Sequence, residues 1–181
     1  MKLARIKLKE YLQLEDSDEY NFAIKFSGFF NEPVDSMGIG DVYQLKFGLV
    51  KDIQQDLADG NVNLEKQIEY LVRIKEGLDI YNCYLDEVTK TSSYLIEKII
   101  ELTEIEGEML SSNSYNDENG LEEYYDKLAK LGVILQIRSL ANNDVTKFED
   151  IRNTNYQTCF LELYTRNIES EIHKKQLKKQ K

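Results

Sequence analysis

Residues 64–109 read LEKQIEYLVRIKEGLDIYNCYLDEVTKTSSYLIEKIIELTEIEGEM, and apolar residues recur every seven positions in this stretch. The first column holds Leu64, Leu71, Leu78, Leu85 and Ile99, and the second holds Ile74, Tyr81, Val88, Leu95, Leu102 and Met109. Only Gln67, Ser92 and Glu106 interrupt the two columns. This spacing is typical of a helix that packs one side against another helix. It predicts a long central helix over residues 64–110, about 70 Å in length.

The apolar stripe on this helix is wider than a two-stranded coiled coil requires. Its flanking apolar residues are Ile68, Tyr70, Tyr84, Ile96 and Ile105. A stripe of this width favours burial between two neighbouring helices of one bundle. The alternative is that part of the stripe projects and binds another subunit, by self-association, or a client helix. Serine and threonine compete for backbone hydrogen bonds, so residues 89–93 (TKTSS) are where we expect any kink or break.

The helix before the central one is predicted to pair with it as an antiparallel hairpin. Residues 41–59 carry an apolar stripe, Asp41 suits the helix start, and Gly60 suits a left-handed turn at its end. Because the link is short, this helix should lie beside residues 64–89. The residues expected to face one another are Leu71, Leu78 and Leu85 on the central helix, and Leu49, Ile53 and Leu57 on the preceding one.

Helical patterns also occupy the two ends of the chain. An aromatic helix is predicted at residues 22–30, another helix after the polar loop at residues 111–120, and a final helix over residues 154–172. Residues 1–15 begin with alternating apolar and basic side chains, which predicts a short extended β-arm that leads into a turn of helix.

These patterns together predict a mainly all-α fold. We expect residues 1–181 to form one helical domain, a bundle around the central helix, which ends in a basic tail at residues 173–181. No internal repeat is visible in the sequence.

The chain is acidic overall, with a formal net charge of −10 over 181 residues. This charge argues against a general nucleic-acid binder, because most of the surface would repel phosphates. No apolar run approaches the roughly 18 residues of a membrane-spanning helix, and the first residues lack the apolar run of a signal peptide. We therefore expect a cytoplasmic protein in which Cys83 and Cys159 are free thiols.

No arrangement of residues predicts catalysis. His173 is the only histidine, and no pattern of nucleophile and base surrounds it. Gly38-Ile-Gly40 has the spacing of a phosphate-binding loop, but Tyr43 stands where a third glycine belongs, so a turn is the better interpretation. We expect no enzymatic activity and no cofactor.

One stretch has part of the spacing of a calcium-binding loop. Its residues at the first, third, fifth, sixth and twelfth positions are Tyr115, Asp117, Asn119, Gly120 and Asp126. The first position should be a carboxylate and the last a bidentate glutamate, so the pattern lacks two of its main ligands. We expect no metal there.

The lysines at the end of the chain are the candidate partner-binding site. They are Lys174, Lys175, Lys178, Lys179 and Lys181, with no acid among them. Such a cluster can bind an anionic partner, an acidic protein or RNA. The alternative is a solvated tail, because cations at a helix C terminus also stabilise the helix dipole. Likewise, the glutamates at positions 97, 101, 104, 106 and 108 predict a solvated face of the central helix.

Four stretches of the chain resemble small helical tail assembly chaperones of tailed bacteriophages. They are ARIKLKEYLQL at Ala4–Leu14, FAIKFSGFF at residues 22–30, DVYQLKFGLVKDIQQDL at Asp41–Leu57 and FEDIRNTNYQTCFLELYTRNIESE at residues 148–171. The resemblance implies a virus-encoded, non-enzymatic protein that binds the apolar tape-measure protein in the host cytoplasm before tail assembly. The long middle helix departs from the family pattern.

That departure leaves two other functions open. The chain would then be a phage-encoded inhibitor or regulator that captures a host protein, or a structural component of the virion. A chaperone or structural protein would act by helix-to-helix contact with another protein, whereas the basic tail and acidic body would also suit an inhibitor.

Overall fold

The computed structural model describes residues 6–13, 33–110 and 131–179, with side chains described up to residue 177. Within these ranges the fold is all-α, with seven α-helices and no strand, which confirms the predicted fold class. The helices are α1 (Leu8–Tyr11), α2 (Phe47–Ala58), α3 (Leu64–Ile74), α4 (Leu85–Leu110), α5 (Val133–Leu140), α6 (Phe148–Asn153) and α7 (Tyr156–Lys179). Turns of 3-10 helix lie at Val42–Gln44, Ile80–Asn82 and Val145–Lys147.

Several predicted features lie outside the described residues. They are the aromatic helix at residues 22–30, the polar loop at residues 111–120 and the calcium-loop pattern from Tyr115 to Asp126. The N-terminal arm is described only over residues 6–13, where an extended Lys7 leads into the single turn of α1 as predicted.

The predicted central helix over residues 64–110 is wrong, because two helices occupy this stretch. The first, α3, ends at Ile74, and the N–H of the following residue, Lys75, donates to a carbonyl of the last turn at 2.9 Å. Gly77 follows with φ of +85°, a left-handed conformation that terminates helices. The second helix begins at Leu85 and continues through residues 89–93, so the kink or break that the sequence allowed there does not occur.

The predicted antiparallel hairpin is confirmed for α2 and α3. Hydrogen bonds join Tyr70 Oη to Asp56 at 2.7 Å and Arg73 Nη2 to Asp52 at 2.8 Å. The later residue of α3 pairs with the earlier residue of α2, as an antiparallel arrangement requires. Gly60 makes the turn between the helices with φ of +70°, where a glycine adds no steric cost.

The leucines expected to face α2 have different environments. Leu71 is fully buried, and Leu85 is buried at the start of α4. Leu78 is 39% exposed because it lies in the connection after α3 rather than in a helix. Its predicted place in the helix interface is therefore wrong. Periodicity does not reveal that the helix has ended four residues earlier, at Ile74.

The chain divides into two compact units. The first contains Met1–Val42 and Asp52–Glu101, and the second contains Tyr43–Lys51 and Leu102–Lys181. Among the described residues, the buried apolar side chains of the first unit include Leu8, Ile53, Tyr70, Leu71, Val88, Leu95 and Ile99. Those of the second unit include Phe47, Val50, Leu102, Ile137, Tyr156, Cys159 and Phe160.

In the first unit, the starts of α1 and α4 are joined by backbone hydrogen bonds. The Leu8 N–H donates to the Cys83 carbonyl at 3.0 Å, and the Leu85 N–H donates to the Ile6 carbonyl at 2.8 Å. First-turn N–H groups have no acceptor within their own helix. The exchange therefore satisfies one such donor at each helix start.

The second unit joins the starts of α2 and α7 in the same way. The Phe47 N–H donates to the Thr154 carbonyl at 2.8 Å, and the Tyr156 N–H donates to the Leu45 carbonyl at 2.8 Å. A local structural arrangement thus recurs, although no repeat was visible in the sequence. It fixes where α7, the C-terminal helix, begins.

The segment around Gly38-Ile-Gly40 is a turn, as the sequence analysis preferred. Asp35 organises it, because its carboxylate accepts hydrogen bonds from the N–H groups of Ile39 at 2.7 Å and Gly40 at 2.9 Å. Both glycines have positive φ, +66° and +80°. The N–H groups that would have to point at a phosphate are therefore partly occupied by Asp35.

Candidate partner-binding surface

The first turns of α7 are anchored by a stack of aromatic rings. The ring of Tyr156 stacks on Phe47 of α2, with centroids 5.9 Å apart, and on Phe160 at the same separation. Phe160 in turn stacks on Tyr164 at 6.4 Å. These α7 residues are four positions apart and form one ridge along the helix. The ridge holds the beginning of α7 in the core of the second unit.

A buried polar cluster reinforces this anchor. Glu106 of α4 accepts hydrogen bonds from Lys51 of α2, from Tyr156 Oη at 3.1 Å and from Gln136 of α5 at 3.2 Å. Lys51 is only 3% exposed, and its Nζ lies 5.5 Å from the centroid of the Phe47 ring. Side chains from α2, α5 and α7 therefore donate hydrogen bonds to one carboxylate of α4.

The cluster shifts the proton affinities of its members. Burial lowers the pKa of Lys51 below its usual value, and the Glu106 carboxylate opposes this effect. Burial, followed by the charge of Glu106, raises the pKa of Tyr156. Lys51 and Tyr156 are both buried, at 3% and 1% exposed. The cluster is therefore best understood as a structural junction that orients α7.

Beyond Phe160, the described part of α7 contains no buried residue. Leu161 is 52% exposed, Ile168 is 42% exposed and Ile172 is 50% exposed. These three residues lie within about 40° of one another around the helix axis. We call them the α7 apolar surface.

The opposite side of α7 contacts its own unit. Arg166 donates to the carbonyl of Ser139, and Asn167 Nδ2 donates to the carbonyl of Met109 at 3.2 Å. These contacts hold the middle of the helix. The α7 apolar surface consequently points away from them. Exposed apolar side chains aligned on one side of a helix are a candidate interaction site.

The candidate lysines lie at the end of the same helix. Lys174 pairs with Glu171 at 2.9 Å, and Lys175 is exposed. The side chains of Lys178, Lys179 and Lys181 lie outside the described residues. The final helix extends through Lys179, beyond its predicted end at residue 172, so the basic residues from His173 onward are helical. His173 is an exposed residue of this helix.

Sequence reasoning missed two features of this region. The residues of the α7 apolar surface recur at intervals of seven and four, a spacing visible in the sequence that does not show whether they are covered. Glu106 was expected to be solvated with its neighbouring glutamates, yet it is 8% exposed. The signal for Glu106 was its place in a heptad column, where a charge must find partners if the position is buried.

The other candidates have simpler outcomes. Cys83 and Cys159 are free thiols, as predicted. Burial raises the pKa of Cys159 to about 11. In the described ranges, no three histidine, cysteine or acidic side chains converge as metal ligands, and no helix is long and apolar enough to cross a bilayer.

The chain matches no protein family, no curated protein and no solved structure.

Proposed function

We propose that this chain is a non-enzymatic assembly protein that binds an apolar helix of another protein on the α7 apolar surface. The proposal follows the resemblance to phage tail assembly chaperones, with a tape-measure-like protein as the partner and the host cytoplasm as the location. The observation that carries it is the exposure of Leu161, Ile168 and Ile172 on a helix whose other side is held by its own unit.

The expected affinity is modest. Fully burying a leucine or isoleucine contributes about 1.5–3 kcal/mol. Because these three side chains are already about half covered, their burial would contribute about 2–5 kcal/mol together. Association itself costs an estimated 4–15 kcal/mol, so the partner must supply a matching apolar side. A weak, reversible contact suits a protein that must release its partner during assembly.

The test is co-expression with the tape-measure protein encoded in the same genome. We expect the wild-type chain to keep that protein in the soluble fraction and to co-purify with it. The double variant Ile168→Ser/Ile172→Ser should lose both effects while its helical circular dichroism is retained, because the two side chains are exposed.

The matched control is Val145→Ser, which replaces a residue of the same unit that is 71% exposed and lies outside α7. This variant should behave as the wild type does. Retention of the tape-measure protein by the Ile168→Ser/Ile172→Ser variant would overturn the proposal.

A further inference from the structure

The charges along α7 are ordered relative to its apolar surface. Glu162 and Glu169 each follow a residue of that surface by one position, and so lie on its flank. Lys175 is seven positions after Ile168 and lies in line with the apolar surface, where it is exposed. Glu162 is paired with Arg166 at 2.7 Å, and Glu171, one position before Ile172 on the other flank, is paired with Lys174 at 2.9 Å. Lys175 is an exposed cation at the end of the surface, beyond these acidic residues.

This order specifies the direction of a bound helix. Isolated helices favour acidic residues in the first turn and basic residues in the last, because of the helix dipole. The charges of such a helix lie next to opposite charges of α7 only when the two helices are antiparallel. Its acidic first turn is then next to Lys175, and its basic last turn is next to Glu162.

We propose that the partner segment is an amphipathic helix that lies antiparallel to α7 with its acidic N-terminal turn at Lys175. This inference rests on the proposed function and adds the chemistry and direction of the partner. Counted from that turn, its apolar residues follow the spacing from Ile172 to Ile168 to Leu161, which is four and then seven positions. From Lys175 to Leu161 the segment needs about four turns of helix, or roughly 21 Å.

A second copy of the chain fits this surface less well. A symmetric antiparallel pair centred on Ile168 would align Leu161 of one copy with Lys175 of the other. It would also bring the two Glu169 carboxylates together, and like charges at such positions destabilise helix pairs. A helix of another protein avoids both the alignment of Leu161 with Lys175 and the repulsion between two Glu169 carboxylates.

The probes are two fluorescein-labelled peptides with leucines at the required four- and seven-residue spacing. One carries glutamates in its first turn and lysines in its last, and the other has these charges exchanged. Titrated against the full chain at low salt, the first peptide should bind about two- to tenfold more tightly, as expected for a few surface ion pairs. The preference should shrink as salt screens the charges.

Direction is read from a photo-crosslinker at the N terminus of the first peptide. We expect crosslinks near Lys175, and mass spectrometry that finds them near Leu161 would overturn the inference. The variant Lys174→Glu/Lys175→Glu should reverse the preference between the peptides. Lys147→Glu, a surface lysine of the same unit outside α7, should leave it unchanged.

The outcomes separate this inference from the proposed function. Equal binding of both peptides, with crosslinks at both ends of α7, would overturn the direction and leave helix binding intact. Binding of neither peptide would contradict the proposed function itself. A dimer of the chain that dissociates in the Lys174→Glu/Lys175→Glu variant would identify a second copy as the occupant and overturn the inference.

Discussion

At the scale of single residues, Glu106 is the position where the expectation from the sequence and the structure differ most clearly. It interrupts a heptad column, and it is buried because Lys51, Tyr156 and Gln136 all donate to it. A buried carboxylate is tolerated only when its partners satisfy it. Its role is to fix one arrangement of four helices and, through Tyr156, the start of α7.

Replacing Glu106 alone should be costly. Glu106→Ala leaves Lys51 charged and buried without its main partner, and we expect a loss of about 3–5 kcal/mol in the free energy of unfolding. Glu108→Ala, an exposed position on the same helix, should change it by less than about 0.5 kcal/mol. Urea denaturation followed by circular dichroism measures both.

Replacing both charges should restore most of the loss. An apolar pair such as Lys51→Met/Glu106→Leu removes the desolvation cost together with the attraction, and buried ion pairs replaced in this way are often neutral or stabilising. A double variant as unstable as Glu106→Ala would show that the cluster stabilises the fold beyond its two charges.

Cys159 provides a prediction for the dependence on pH. Burial raises the pKa of its thiol from 9.0 to about 11 in the folded chain. Between these values the unfolded chain releases a proton that the folded chain keeps, so the contribution of Cys159 to stability falls as the pH rises. In a Cys83→Ser variant, alkylation of the folded protein should show a midpoint near the higher value. A midpoint near 9.0 would mean that the thiol is exposed to solvent.

At the scale of helices, the sequence predicted whether a described segment is helical better than it predicted where the helix begins and ends. The hairpin of α2 and α3 followed from amphipathic spacing and Gly60, both of which are local signals. The break between α3 and α4 was missed because the heptad columns continue through it. Leu78 and Tyr81 keep the spacing although they lie outside any α-helix.

Two segments carry a signal that could have located helix starts. Asp41-Val-Tyr-Gln and Asp79-Ile-Tyr-Asn share a pattern. In each, the three residues after the aspartate form a turn of 3-10 helix, and an α-helix begins three positions after that turn. The backbone pairing that follows each segment depends on residues distant in the sequence, namely Lys46 with Asn155 and Lys7 with Tyr84. No local spacing could predict those partners.

The break itself is tested by a pair of glycine substitutions. Gly77→Ala places a side chain at φ of +85°, and we expect it to lower the free energy of unfolding by about 1–2 kcal/mol. Gly107→Ala lies inside α4 with open space around the new methyl group, and it should raise that free energy by about 0.5–1 kcal/mol. Thermal or urea unfolding measures both. A stabilising Gly77→Ala would mean that one continuous helix forms in solution.

At the scale of the whole molecule, the acidic net charge and the lack of a catalytic pattern in the sequence led us to expect a binding protein. The sequence offered two candidate partner sites, the terminal lysines and a projecting part of the heptad stripe at residues 64–109. The described residues add an apolar surface next to the terminal lysines on the same helix. Whether a residue of α7 is covered depends on which other helices reach it. For this reason the α7 apolar surface could not be separated from the core by spacing alone.

The central claim is that partners bind on the α7 apolar surface. Hydrogen–deuterium exchange of the full chain, alone and with the co-expressed tape-measure protein, tests it most directly. We predict that added protection concentrates in residues 161–177, whose side chains are not buried in the free chain. Protection confined to other segments, such as the exposed Leu78 and Tyr81, with α7 unchanged, would contradict the claim.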